Sequence, residues 1–561
     1  MPNLRSPLAV SLFTGDGSSS EVSAGSEPTN AAEMGLKTSA GLGDLTTEDT
    51  RSLGLLVSFL SPSYKITHDF LLRGGSPRKR WTPGGGIEEV DAITAGLSPE
   101  LTGLLSDPPR LSNSLRALST TILKRSDQAY ILDVEAAKRI RRDLSTEALA
   151  SWETQVLIVA YRACSWKYIE PSNFDASSIT PHLQYAAQTY GDCCERLSTD
   201  TRADLVLTLL EATRFPTLTW KRFVVSQAAA VVRGLNSGQA EHLYLSLRLS
   251  SAQSLLHRLE GNHEAAVNVV DTFIHKQQPD TPDRRTNAAL GHLTLQRALN
   301  CVQVDALPQA ERVLAEWRPL SDEPSLMEQV VRFRRGMTLG RVFRTQGRFS
   351  EAYTQVKRSH DLAEQLQDLS FDEDRRDLTC EMADTLRELD KPETAEVYLR
   401  RELARRGDGM QDPPASGKSL LEASLAEVLF AQGRIQEAER VCTEAGSRAD
   451  NLMKLGKLRI CLVLAKIHHT RSEHEGALRY WDEAIRQVGR FPGTAGRTMR
   501  TIVLSRRDNI RSLRLTEPRD QVLRHTASSD ALGTPGGMVY WIPGMRHWQD
   551  YLDSEATWTR M

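Results

Sequence analysis

The sequence predicts an all-α chain built mainly as a solenoid of stacked helix pairs, and three observations carry that prediction. The first is length: 561 residues exceed the roughly 250–300 at which a single core stops growing, so the chain divides into domains or repeats. The second is composition, with 40% apolar residues and only 6% aromatic, the mix of a helix-rich soluble chain. The third is a fixed period. Six times a turn residue is followed five positions later by Ala: Gly261 to Ala266, Asp305 to Ala310, Gly347 to Ala352, Asp390 to Ala395, Gly433 to Ala438 and Ser472 to Ala477. The alanines are spaced by 44, 42, 43, 43 and 39 residues, an interval that marks stacked helical repeats. Twelve residues before each stands another small residue: Ser254, Ala298, Gly340, Ala383, Ala426 and Ala465. Close packing of two antiparallel helices requires small side chains at such fixed places.

In chain order, residues 1–43 are rich in Ser, Gly, Ala, Thr and Pro and read as a disordered tail, because they bury too little apolar surface to offset chain entropy. Residues 44–144 read as a small domain. Asp44 or Thr46 caps a helix carrying Leu53, Leu56, Val57 and Leu60, and a second helix over 66–72 stops at Gly74 and Gly75. The stretch 76–86, with Pro77, Pro83 and three glycines, reads as a loop. A helix over 111–122, a strand or wing at 129–134 and a further helix at 138–143 complete the domain, which thus has one hairpin and the outline of a winged helix. Residues 145–240 read as a helical linker region, 241–490 as the repeats, and 491–561 as a basic helix followed by an aromatic cap.

The repeat spacing resembles the tetratricopeptide repeat, most clearly at Gly347, Arg348, Phe349, Ser350, Glu351 and Ala352 and at Gly433, Arg434, Glu437 and Ala438. The period of about 42 resembles the longer-helix version of that repeat. Upstream, Leu60-Ser61-Pro62, the Leu-rich helix before Lys124 and Arg125, an Arg-rich helix and Trp152 resemble the winged-helix segment that precedes such repeats in fungal STAND ATPases of the NB-ARC type. Where those proteins commonly carry a His at the start of the post-wing helix, this chain has Asp133. The resemblance implies a sensor or regulatory role in a fungus, carried out without the nucleotide-binding domain.

The motor's motifs are missing. A phosphate-binding loop needs GxxxxGK[ST] after a strand. The one GK[ST] here, Gly417-Lys418-Ser419, has Asp412 at the first glycine position and Pro413 and Pro414 within the loop. It reads as a helix start. His468, His469 and His474 lack the i, i+4 spacing of a zinc helix. His263-Glu264 has no second His four residues on, and no GxSxG or dinucleotide fingerprint occurs. No catalytic residue, cofactor or metal is expected. Seven cysteines without a CxxC pair predict reduced thiols inside the cell.

A net charge of −2 argues against nucleic acid and acidic membrane surfaces as global partners. The longest apolar run, from Val156 to Tyr161, is too short to span a bilayer. What remains is binding. Counting back from each anchor alanine places Arg334, Met337, Arg341, Arg344 and Thr345 of the third unit on the groove side, with Arg248, Arg258, Arg459, Lys466 and His469 in neighbouring units. Arg forks suit carboxylates and phosphates, so an acidic peptide is the expected ligand. The alternative is a solvated face with arginines paired to Asp377 or Asp384. Trp541 and Trp548 are candidate anchors in the aromatic cap, and Arg497 to Arg524 form a basic stretch read as a solvated helix.

The sequence therefore predicts a non-enzymatic interaction scaffold or regulatory protein that holds a protein partner. A truncated or split STAND ATPase, an accessory protein of a fungal secondary-metabolite gene cluster and a winged-helix DNA reader are the alternatives. The cytoplasm is the expected compartment, with Arg78-Lys79-Arg80 a weak nuclear signal. Oligomeric state is unreadable from these residues.

Overall fold

A computed structural model of the chain describes residues 47–127, 129–171, 176–215, 217–235, 240–276, 282–304, 306–407, 418–446 and 454–488. The disordered-tail reading of 1–43 and both readings of 491–561, Trp541 and Trp548 included, lie outside these residues.

Helix α1 (Glu48–Ser58) starts at Thr47, whose hydroxyl accepts from the Thr50 amide at 3.2 Å, and it buries Leu53, Leu56 and Val57. The second helix begins later than the sequence suggests. Ile66 and Thr67 form a short strand, β1, and Thr67 caps α2 (His68–Gly75). Nor does α2 stop at its glycines. Both belong to its last turn, because a Cβ on Gly74 would strike Val159 and one on Gly75 would strike Leu105. The glycines serve close helix packing here.

The expected loop at 76–86 is largely a second hairpin. Strand β2 (Arg78–Trp81) pairs with β3 (Ile87–Val90) in the register Arg78↔Val90 and Trp81↔Ile87. Only the tip turns. The Thr82 amide donates to the Gly86 carbonyl at 2.9 Å, and Gly85 has a left-handed φ of 73°. Helices α3 (Pro99–Leu105) and α4 (Pro108–Leu118) follow, both with Pro in the first turn. Strands β4 (Leu123–Ser126) and β5 (Ala129–Leu132) form the hairpin expected near 129–134, and β1 adds to it in the antiparallel order β1-β5-β4. Asp133 caps α5 (Val134–Arg142), its carboxylate accepting from the Glu135 and Ala136 amides.

The stretch read as a linker is packed structure. It forms helices α6 (Thr146–Arg162), α7 (Ala176–Thr189), α8 (Thr199–Glu211) and α9 (Leu218–Arg233), with a 3₁₀ turn at Gly191–Arg196 between α7 and α8. The apolar run from Val156 to Tyr161 is buried on every side of α6, as a helix enclosed on all faces must be.

Six helix pairs then follow: α10 (Ala240–Leu259) with α11 (His263–Lys276), α12 (Arg284–Gln303) with α13 (Leu307–Glu316), and α14 (Leu326–Thr345) with α15 (Phe349–Gln365). The remaining three are α16 (Asp372–Glu388) with α17 (Pro392–Gly407), α18 (Lys418–Ala431) with α19 (Ile435–Gly446), and α20 (Lys454–Thr470) with α21 (His474–Val488). Helices α8 and α9 pack on α10, so the predicted linker forms the first layer of the stack.

The predicted period is the physical repeat. All six anchor alanines are buried, as are their small partners twelve residues earlier. Each turn closes alike: the amide after the turn residue reaches the carbonyl five residues back, in Asn262 to His257, Ala306 to Cys301, Arg348 to Phe343, Lys391 to Leu386, Arg434 to Leu429 and Glu473 to His468. This is the helix stop that needs one left-handed residue. Gly261, Gly347, Asp390, Gly433 and Ser472 have φ between 57° and 78°; Asp305 lies outside the described residues. Arg348 and Arg434, at matching turn positions, reach back to Glu311 and Glu396 of the preceding unit, each at 2.7 Å.

One apolar core runs from Leu53 to Ile467, joining the front domain to the stack without a break. The sixth pair holds a small cluster of its own around Trp481, drawn from α20 and α21. The seven cysteines form no disulfide, and six are buried.

Candidate inner-face site

The residue eighteen before each anchor alanine lies on the first helix of its unit, one register for the whole stack. In the first three units it is Arg248, His292 and Arg334. These residues line one cavity of about 180 Å³, together with Ser251, Gln296 and Met327. The roof comes from the front of the chain: Trp81 from β2, and Lys167 and Tyr168 from the segment after α6.

Two clasps hold that roof. The Ser370 amide donates to the Tyr168 carbonyl at 2.7 Å, and Asp374 of α16 accepts from Lys167 Nζ at 2.7 Å and from the Tyr168 hydroxyl at 2.6 Å. Tyr168 sits at a left-handed φ of 73°, rare for an aromatic residue and sustained only where its surroundings fix it. The second clasp is the β2–β3 tip. Gly85 O accepts from the Met327 amide at 3.1 Å and Pro83 O from the Arg285 amide at 3.2 Å, so one turn engages the starts of two adjacent inner helices.

Charge in the cavity is unevenly matched. Arg248 donates to Glu211 at 2.6 Å, Arg214 pairs with Glu373 at 3.2 Å, and Lys167 pairs with Asp374. Arg334 Nη1 instead meets His292 Nδ1 at 3.2 Å, and Arg334 has no ion pair among the described residues. Arg258 is in the same position, its Nη1 donating to Asn300 Oδ1 at 3.1 Å. Burial, with Arg334's like charge behind it, pushes the Arg258 guanidinium down to about 10. Burial also drives the His292 imidazole well below its usual range, reinforced by Arg334, Arg248 and Lys167. Burial opposes ionisation of Asp374, but Lys167 and Arg334 outweigh it and hold the carboxyl below its ordinary range.

The other residues expected on the groove divide by burial. Arg344 is buried and donates to Glu381 of α16 at 3.0 Å, while Arg341 reaches the same carboxylate at 2.8 Å with 45% of its side chain exposed. Arg459 is buried between Asp384 at 2.6 Å and Glu427 at 2.7 Å, and Arg387 joins that network through Glu427. Arg344 and Arg459 therefore belong to the seams between inner helices and present no surface to a partner. The three α14 arginines expected on the groove, Arg334, Arg341 and Arg344, have three settings, cavity, rim and seam, where the sequence suggested one open face. Met337 packs half-buried against the core. Lys466 is half-buried too, and burial, with Arg387 and Arg459 nearby, pushes its ammonium down to about 8. His469 is buried in α20.

Sequence reasoning missed His292, Gln296 and the roof. His292 was within reach of the register that found Arg248 and Arg334; the roof was not, since Lys167 and Tyr168 meet Asp374 more than two hundred residues later. Lys418 opens α18. His468 meets Glu473 at 2.5 Å and stacks on Tyr480, and no cluster of metal-ligating residues occurs among the described residues. No described helix is long and apolar enough to cross a membrane.

Neither the protein-family models nor the curated proteins contain a match to this sequence. Among solved structures, the apo form of RapI is similar over 59% of this chain and 86% of its own, at 10% identity and a TM-score of 0.38. The STAND protein with a tetratricopeptide repeat sensor PH0952 from Pyrococcus horikoshii is similar over 87% of this chain, at 12% identity and a TM-score of 0.39; this chain spans 65% of its length. The helical-repeat architecture rests on this chain's own turns and packing.

Proposed function

We propose that the chain is a non-enzymatic, regulatory helical-repeat scaffold that holds a protein partner, through an acidic segment, along the rim of its inner face. The observation that supports this reading is that the inner face already takes up a turn of its own chain. The turn at 166–170 lies against the start of α16 through a backbone hydrogen bond, an Asp374 clasp and the Tyr168 ring beside Phe371. A surface able to hold one segment by mixed polar and aromatic contacts has the chemistry to hold another. Next to it, the half-exposed Arg341 guanidinium favours an acidic sequence. The resemblance to the repeat part of fungal STAND proteins adds a sensor role to this reading.

Affinity capture from host extract tests it. Arg341→Glu should release the partner captured by the unaltered chain, and capture should weaken as salt rises. A partner held equally by Arg341→Glu and indifferent to salt would remove the rim from consideration.

A further inference from the structure

We propose that the roofed cavity of the first three units binds a small phosphate-bearing dianion, held by Arg334, Arg248 and Lys167. This site is separate from the Arg341 rim and does not depend on the partner-binding reading.

Charge is the first argument. Around the cavity stand Lys167, Arg214, Arg248 and Arg334, against Glu211, Glu373 and Asp374. Among the described residues Arg334 alone of these cations forms no ion pair, and it shares the field of Asp374 with Lys167. Four cations against three carboxylates leave the partly desolvated site one positive charge in excess, which a bound anion offsets.

Donor geometry is the second. His292 engages Arg334 Nη1 through Nδ1, which requires a neutral ring offering its lone pair there. The depressed imidazole is in that state. His292 thus orients the guanidinium, whose Nε and Nη2 remain for a ligand. Donors approach from three elements, Arg248 on α10, Arg334 on α14 and Lys167 on the roof. Convergence from three directions suits a tetrahedral anion better than a planar carboxylate.

The third argument is size. A volume of about 180 Å³ takes a phosphate with a short stem and excludes a helix or folded segment.

Thermal unfolding and calorimetry of the full chain test the site, with inorganic phosphate and glycerol phosphate as probes against chloride at equal ionic strength. Phosphate should raise the midpoint beyond chloride, as binding to the folded state requires. Arg334→Gln should weaken phosphate binding about tenfold or more, with helical content unchanged. Arg440→Gln, at an exposed site on α19, should bind as the unaltered chain does. Tighter binding of one probe names the source, a free ion or an ester. Stabilisation no greater than that by chloride overturns the proposal, as does unchanged phosphate affinity in Arg334→Gln. If Arg334→Gln fails to fold, calorimetry of the unaltered chain decides, and the lack of a saturable phosphate heat beyond that of chloride overturns it.

Discussion

Glu381 accepts from Arg344 Nε at 3.0 Å across the seam between α14 and α16, and both side chains are less than a tenth exposed. Burying such a pair costs desolvation that its attraction barely repays, while breaking it leaves a charge stranded. The pair therefore fixes how the third unit sits on the fourth. Arg387, Glu427, Arg459 and Asp384 do the same for the next two seams.

Glu381→Gln should lower stability by about 3–5 kcal/mol, because Arg344 stays buried without its counter-charge. Burial works against the Glu381 carboxylate, but Arg344 and then Arg341 hold it down from its ordinary 4.5 to about 2. A depressed folded-state pKa stabilises above the unfolded value and loses that effect as pH falls through the folded one. Chemical denaturation of the unaltered chain should thus show stability falling between pH 4.5 and about 2. In Glu381→Gln that part of the fall should be absent.

Gly340→Leu and Ala426→Leu should each destabilise by about 1–3 kcal/mol or more, measured by thermal melting. A Cβ on Gly340 alone would meet the Val356 side chain, and Ala426 is fully buried. Unchanged melting in both would contradict the packing of the pairs.

Loosening either clasp should expose the roof. At Gly85 a Cβ would come within 2.5 Å of Ser325 Oγ, and φ is already left-handed, so Gly85→Val should undock the hairpin tip. Asp374→Ala removes the acceptor shared by Lys167 and Tyr168. Hydrogen exchange in each variant should quicken at residues 166–170 and leave the fifth pair unchanged.

The purified chain should neither bind nor hydrolyse ATP. Lys418 begins a helix, and the preceding sequence holds Pro413 and Pro414 where a phosphate loop needs glycine. Equilibrium dialysis with ATP checks this, and binding abolished by Lys418→Ala would refute it.

What the sequence made legible was local. The six turns are written in a few adjacent residues each, one turn residue, left-handed in the five that are described, and one small anchor, so their period could be counted. The β2–β3 hairpin could not be read, since Arg78, Lys79, Arg80, Glu88 and Glu89 show no apolar alternation and its tip docks on helices two hundred residues away. The inner-face arginines were found by register, but their settings depend on acids in other units. Glu381 sits 37 residues from Arg344, and Asp384 sits 75 from Arg459. Spacing along one helix cannot tell a seam from a rim.

The β2–β3 tip grips the starts of α12 and α14 together, and that has a mechanical consequence. A stack of helix pairs is a spring, because each pair touches mainly its neighbours and small rotations add along the axis. Here the first coils are clamped from within. Under tension the first three units should yield only after the tip lets go.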